Sequence, residues 1–195
     1  MNVPTVKYLP TSNRGFGLIE LMVAIGIIGL ITTTILVRQS SFNSTVVLEN
    51  QAWEVATDIR QTQNFAASPQ QHPGEDWRGR YGIRFTAGSN AYNIYHLQGT
   101  EQTPVSAIST DRRFQIVSFH DANGDELNDV ASLTLEFERP NFDPTFIGTP
   151  SAGIPVTTLA PSQVRIRIQP IGDTTRSRDV IVTATGQISV VNPQL

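Results

Sequence analysis

The chain opens on a short polar leader and then turns apolar without a break. From Phe16 to Val37 it reads FGLIELMVAIGIIGLITTTILV, 22 residues in which Glu20 is the only charge. At 1.5 Å per residue a helix of this length covers about 33 Å, enough to cross a hydrocarbon core of about 30 Å. A buried core helix of a soluble protein is one alternative, but a run this long with one charge exceeds what such a helix needs. A cleaved secretory signal is another. Its apolar core is shorter and ends at a small-residue cleavage site, whereas this run passes into ITTTILVRQSS. The pattern predicts a retained membrane helix over 16–37. Lys7 and Arg14 precede it and Arg38 is the next charge, so the basic leader stays in the cytoplasm and the long remainder is translocated.

Helical periodicity continues past the apolar run. No proline occurs between Thr11 and Ser68, and Leu48, Ala52, Val55, Ile59 and Ala66 recur at helical spacing, with Gln63 bridging the last interval. Glu49, Glu54, Asp58 and Arg60 fall largely off that stripe. The spacing predicts one long helix, all apolar over 16–37 and amphipathic over 38–68. Trp53 lies off the stripe and has two readings, a sheet margin or a neighbouring subunit.

After Pro69 the pattern changes to short alternating runs split by turn residues. Arg80–Ala87 and Ala91–Leu97 flank Gly88-Ser89-Asn90 as a hairpin, and Phe114–His120 pairs with Ser132–Glu138 around an acidic loop. Val164–Gln169 and Val180–Ala184 form a third pair, and Thr185-Gly186 turns the chain into Gln187–Val191. Five prolines over 140–161 predict a long surface loop there. Residues 69–195 thus form an antiparallel β head, and the fold class is α+β: a long N-terminal helix packed on an antiparallel sheet.

Composition narrows the function classes. The 195 residues carry 14 basic and 17 acidic side chains, a net charge of -3, and only 16% are charged. A mean hydropathy of -0.14 excludes a multi-span membrane protein. The acidic balance argues against a bulk electrostatic nucleic-acid binder. There is no cysteine, which removes disulfide frameworks, cysteine zinc sites and cysteine nucleophiles. His72, His96 and His120 are scattered, with no H-E-x-x-H, no G-x-S-x-G and no phosphate-cradling glycine loop. The chain reads as no enzyme.

Glu20 is the informative residue of the apolar run. A carboxylate near the start of a lipid-embedded helix costs several kcal/mol unless it is paired, which marks it as functional. It follows the junction Arg14-Gly15-Phe16 and the residues Leu18-Ile19. These residues resemble the type IV prepilin family, whose leader ends in a basic residue and glycine before an F-x-L-I-E-type core. The resemblance implies removal of a leader, residues 1–15, after Gly15 by prepilin peptidase and N-methylation of Phe16. It also implies that Glu20 pairs with the Phe16 amine of a neighbouring subunit, with residues 16–37 forming the filament core. Gly17 stands where many members carry threonine. Within the family the chain is similar to the GspH/FimT-like group of minor type II secretion pseudopilins and minor type IV pilins. That similarity rests on Asp58-Ile59-Arg60-Gln61 to Ala66-Ala67-Ser68, on Asp121-Ala122-Asn123-Gly124-Asp125, and on Val182-Thr183-Ala184-Thr185-Gly186-Gln187-Ile188. It implies a structural subunit held in the inner membrane by one span with its C-terminal head in the periplasm. An inner-membrane assembly platform would then build it, with other pilins or pseudopilins, into a helical filament for protein secretion or a pilus.

Two head features carry competing readings. In HDANGDELNDV, Asp121, Asn123, Asp125 and Asp129 fall at positions 1, 3, 5 and 9 of a calcium-loop pattern, with Leu127 able to offer a backbone oxygen. Glu126 stands where such a loop needs glycine and Ser132 where it needs a bidentate glutamate. The alternative is a hairpin turn rich in Asp, Asn and Gly. Arg165 and Arg167 alternate with Val164, Ile166 and Ile168, and Arg176 and Arg178 follow in the next loop. They read either as a solvated strand face paired with Glu136 and Glu138 or as phosphate contacts of a DNA-uptake pilin.

Overall fold

The computed structural model describes residues 17–67, 80–98, 101–110, 112–127, 129–138, 143–151 and 157–193. Among the described residues one helix, α1 (Leu18–Ala67), precedes ten strands. The chain divides into two units, Met1–Asn43 and Ser44–Leu195.

In the first unit the helical window Leu18–Leu36 has a mean hydropathy of 2.2 and none of it is buried. Its length and composition suit a membrane crossing. Its three consecutive threonines fit that setting. The hydroxyls of Thr32, Thr33 and Thr34 donate to the carbonyls of Ile28, Gly29 and Leu30 at 2.8, 2.8 and 2.9 Å. Each polar group is thereby satisfied within the helix, which hydrocarbon surroundings require.

The second unit is the head. Its ten strands are β1 (Arg80–Thr86), β2 (Ala91–Gln98), β3 (Glu101–Ser109), β4 (Phe114–His120), β5 (Val130–Phe137), β6 (Pro144–Pro150), β7 (Thr157–Leu159), β8 (Gln163–Pro170), β9 (Arg178–Thr183) and β10 (Ile188–Val191). They form two antiparallel sheets, one ordered β3-β2-β1-β5-β6-β7 and the other β10-β9-β8-β4. The helical stripe Leu48, Ala52, Val55, Ile59 and Ala66 is buried, joined by Ala56, in one core with residues of both sheets. Burying a side chain the size of Ile59 stabilises the head by about 1.5–3 kcal/mol. Sheet strands alternate as expected: Ile83 and Phe85 on β1 meet Ile94 and Tyr92 on β2 across the core face.

Three expectations are corrected. The head has two sheets rather than one. Strands β4 and β5 do not pair: β4 joins β8, and β5 lies between β1 and β6. Apolar alternation is the same in either partnership, so it could not choose between them. The 140–161 segment is not a continuous loop, since β6 and β7 form within it. Pro144 and Pro150 sit at the two ends of β6, leaving Thr145–Thr149 to supply the ladder bonds that proline cannot.

One glycine is required by a close approach. Gly82 on β1 lies between Tyr95 on β2 and Glu136 on β5. A Cβ at Gly82 would stand 2.5 Å from the Tyr95 ring, which lies across the strand there. The Tyr95 hydroxyl donates to Glu136 Oε1 at 3.4 Å, and Arg84 stacks on the ring at 5.2 Å. Gly82→Ala is expected to lower head stability by about 1–3 kcal/mol through overpacking. Tyr95→Ala in the same chain should relieve the clash, so the two losses will be less than additive in thermal unfolding. Burial, and then the Glu136 carboxylate, push the Tyr95 hydroxyl up to about 12. Its contribution is therefore complete below about pH 10 and is lost as pH rises from there toward 12.

Candidate functional site

The N-terminal candidates lie at the start of α1. Gly15 and Phe16 fall outside the described residues. Glu20 sits in the first helical turn, exposed, with its backbone amide donating to Gly17 O at 3.0 Å. An exposed carboxylate on an otherwise apolar helix surface presents one charge to whatever packs there. Lipid penalises that charge, and a buried cation in a partner would relieve it.

The acidic loop is built as a turn. Asp121 Oδ1 accepts from the amides of Asn123 and Asp125 at 2.9 and 3.0 Å, and the Asp121 amide donates to Asp125 O at 2.9 Å. Gly124 takes φ +89°, a conformation its missing Cβ allows. At the loop's root His120 is buried. The Gly124 carbonyl can only accept, so His120 Nδ1 donates to it at 3.1 Å and Nε2 is left to accept from Ser118 Oγ at 2.8 Å. Leu127 donates its amide to Phe119 O at 2.8 Å and packs against the core, while Asp125 and Asp129 are exposed. Among the described residues, no group of three or more His, Asp or Glu side chains is placed to hold a metal ion. Asp121→Ala is expected to cost about 1 kcal/mol by orphaning two turn amides. Thermal unfolding should show the same loss in chelator and in millimolar calcium; a loss confined to calcium would assign the loop a metal.

The four candidate arginines are each engaged within the head. Arg165 Nη2 donates to Ala122 O at 2.9 Å, tying β8 to the acidic loop. Arg167 makes a two-pronged contact with Asp179, Nε to Oδ1 and Nη2 to Oδ2, both at 2.9 Å. The Asp179 carboxylate pushes the Arg167 guanidinium above its ordinary value. Arg176 pairs with Asp173 at 2.6 Å and donates to Ser44 Oγ. The hydroxyl and amide of Thr175, with Arg176, lower Asp173 to about 2. Arg178 reaches Glu49 at 3.9 Å and Ser177 O at 3.0 Å. Glu136, expected as a partner of the β8 arginines, pairs instead with Arg80 on β1 at 3.2 Å. That follows from sheet membership, since β5 and β8 lie in different sheets.

Sequence reasoning assigned no partner to Asp179 or Asp58. Asp179 is fully buried at the start of β9 opposite Arg167, and an acid directly before Val180-Ile181-Val182 was its one signal. Asp58 accepts from the Tyr92 hydroxyl and locks α1 to β2, with burial, followed by Asp58, raising the Tyr92 hydroxyl. Trp53 is half exposed, with the Arg60 guanidinium 5.9 Å from its ring centroid.

Residues 10–36 match the family described as the prokaryotic N-terminal methylation motif. The match spans Arg14-Gly15-Phe16 and Leu18-Ile19-Glu20, the residues that carried the resemblance. Two crystal structures of the type IV minor pilin FimU of Pseudomonas aeruginosa are similar to the chain. One has 14% identity and a TM-score of 0.42, covering 75% of this chain and 98% of that one. The other has 16% identity and a TM-score of 0.42, covering 78% and 97%. No curated protein matches the sequence.

Proposed function

We propose that this chain, which carries the prepilin-type methylation motif on a membrane-length helix, is a minor pilin or minor pseudopilin. The reading makes it a structural subunit, stored in the inner membrane by α1 with its head in the periplasm. Prepilin peptidase removes residues 1–15 and Phe16 becomes the methylated N-terminus. Glu20 then pairs with the Phe16 amine of a neighbour as an assembly platform adds the subunit to a type II secretion pseudopilus or a type IV pilus. The observation that carries this reading is the motif over 10–36 joined to an apolar helix whose one charge is Glu20. Packing of apolar helices, plus one charge pair that fixes register, suffices as an assembly mechanism.

The test is the intact mass of the protein extracted from membranes. The expected species begins at Phe16 and carries one added methyl group. A chain retaining Met1, expressed in a host with an active prepilin peptidase, would refute the reading.

A further inference from the structure

The loop between β4 and β5 contains the one Asn-Gly pair of the chain, Asn123-Gly124. An asparagine side chain and the backbone amide that follows it can react with each other without an enzyme. The rate depends on how freely the amide nitrogen reaches the side-chain carbonyl carbon, Cγ. Both residues are exposed here. Gly124 has no side chain to crowd the approach, and the place a Cβ would take is open, with nothing within 4 Å. The Gly124 amide lies outside the strand ladders and donates to Asp121 O at 3.3 Å. An ordinary amide bond is about 2.9–3.0 Å, so this nitrogen is weakly held. Other asparagines are placed differently. Asn50 and Asn64 lie inside α1 and Asn93 inside β2. The amide after Asn90 donates to Ser89 Oγ at 3.0 Å, and Asn192 precedes Pro193, which has no N–H.

We propose that Asn123 is a spontaneous modification site, converted through a cyclic imide to aspartate and isoaspartate, and that Asp121 restrains the conversion. The Gly124 nitrogen gives up its proton and bonds to Asn123 Cγ, closing a five-membered ring. The Cγ–Nδ2 bond breaks, and the side-chain nitrogen leaves as ammonia with the hydrogen that the amide lost. Water then opens either C–N bond of the ring. Opening at Cγ gives aspartate on an unchanged main chain. Opening at the main-chain carbonyl gives isoaspartate, with the backbone routed through Cγ. No electrons are transferred, and water is the one co-reactant.

Asp121 opposes the first step. Its Oδ2 accepts from Asn123 Nδ2 at 3.4 Å, and its Oδ1 accepts from the amides of Asn123 and Asp125 at 2.9 and 3.0 Å. These bonds turn the side-chain amide toward Asp121 and fix the backbone on both sides of Gly124. Attack therefore waits for local opening of the loop. Either product trades the Nδ2 donor for a carboxylate, so the loop gains one negative charge beside Asp121. In isoaspartate the longer main chain also displaces Gly124 O, which accepts from the buried His120 Nδ1 at 3.1 Å. The site rests on the head alone and holds whether or not the filament reading does.

The test follows the full chain, extracted from membranes in detergent and incubated at mildly alkaline pH, by isoelectric focusing and by peptide mass mapping with fragmentation. The expected result is a gain of about 1 Da at residue 123, exceeding conversion at any other asparagine by about tenfold and resolving into two products. Asn123→Gln should remove the dominant acidic shift. Asp121→Ala should speed conversion by about threefold or more, because it frees the side chain and both amides. Asp121→Asn keeps an acceptor for the same amides and should stay within about twofold of the unaltered chain. Conversion at residue 123 no faster than at the other asparagines would overturn the proposal. So would a rate unchanged or lowered in Asp121→Ala, since that carboxylate would then restrain nothing.

Discussion

Arg167→Met is expected to destabilise the head by about 3 kcal/mol, the largest loss of any single exposed-face substitution on β8. Asp179 is fully buried and receives both prongs of the guanidinium at 2.9 Å. Removing the cation strands a carboxylate in a low-dielectric setting, and breaking such a pair costs about 3–5 kcal/mol. The guanidinium keeps a quarter of its side chain exposed, so water can partly replace it and the lower end of that range applies. Arg167→Met with Asp179→Leu removes both charges together and should recover most of the loss. Arg165→Ala, by contrast, gives up the contact with Ala122 O and should cost nearer 1 kcal/mol. Chemical denaturation of the purified chain distinguishes these outcomes: a loss for Arg167→Met no larger than for Arg165→Ala would show that Asp179 does not depend on its partner. The same variants bear on DNA. An Arg165→Ala/Arg167→Ala chain that fails to shift DNA could simply be misfolded, whereas Arg167→Met/Asp179→Leu removes the charge while keeping the packed strand.

How much of this was legible in the sequence depends on the range of the interaction. The helix and the apolar stripe at Leu48, Ala52, Val55, Ile59 and Ala66 follow from local periodicity, which one chain segment carries by itself. The β1–β2 and β8–β9 hairpins were legible for the same reason, since their turns are written between their strands. The partnership of β4 with β8 was not, because β4 and β5 are joined by a short acidic loop that resembles a hairpin and crosses between sheets instead. The β1–β2 turn helps hold β4 in its position: Gly88 donates to Ile116 O at 2.7 Å and Ile116 to Ser89 O at 2.9 Å. These bonds link residues far apart in the chain, and no spacing announces them. The arginine partners were hidden likewise. Arg167 and Arg165 alternate correctly out of the core, but whether such a face meets solvent, Asp179 or a loop carbonyl is decided by the neighbouring strand. The prolines misled in the opposite sense: five of them over 140–161 suggest a loop, yet two, Pro144 and Pro150, lie at the ends of β6 and leave Thr145–Thr149 free to pair.

On the proposed reading, Glu20→Ala is expected to leave the protein processed and membrane-held while reducing its incorporation into filaments by about tenfold or more. Cleavage is expected to persist because the junction Arg14-Gly15-Phe16 is unchanged, and anchoring because the substitution makes the span more apolar. The loss falls on assembly alone. In the membrane, helix association has no hydrophobic driving force, because lipid tails are as apolar as the helix surface, so packing and polar contacts must choose the partner. Apolar packing tolerates many axial offsets along Leu18–Leu36, where Glu20 is the one charged side chain. A single carboxylate tolerates only the offset that meets a cation, which makes it a register mark. Glu20→Gln separates two parts of that role. It keeps hydrogen-bonding capacity but removes the charge, so it should assemble better than Glu20→Ala and worse than the unaltered chain. Fractionation of sheared filaments from membranes, with antibody against the head, measures all three. Equal incorporation of Glu20→Ala would place register in the helix packing or in the heads. Failure of that variant to be cleaved would instead make Glu20 part of the peptidase's recognition.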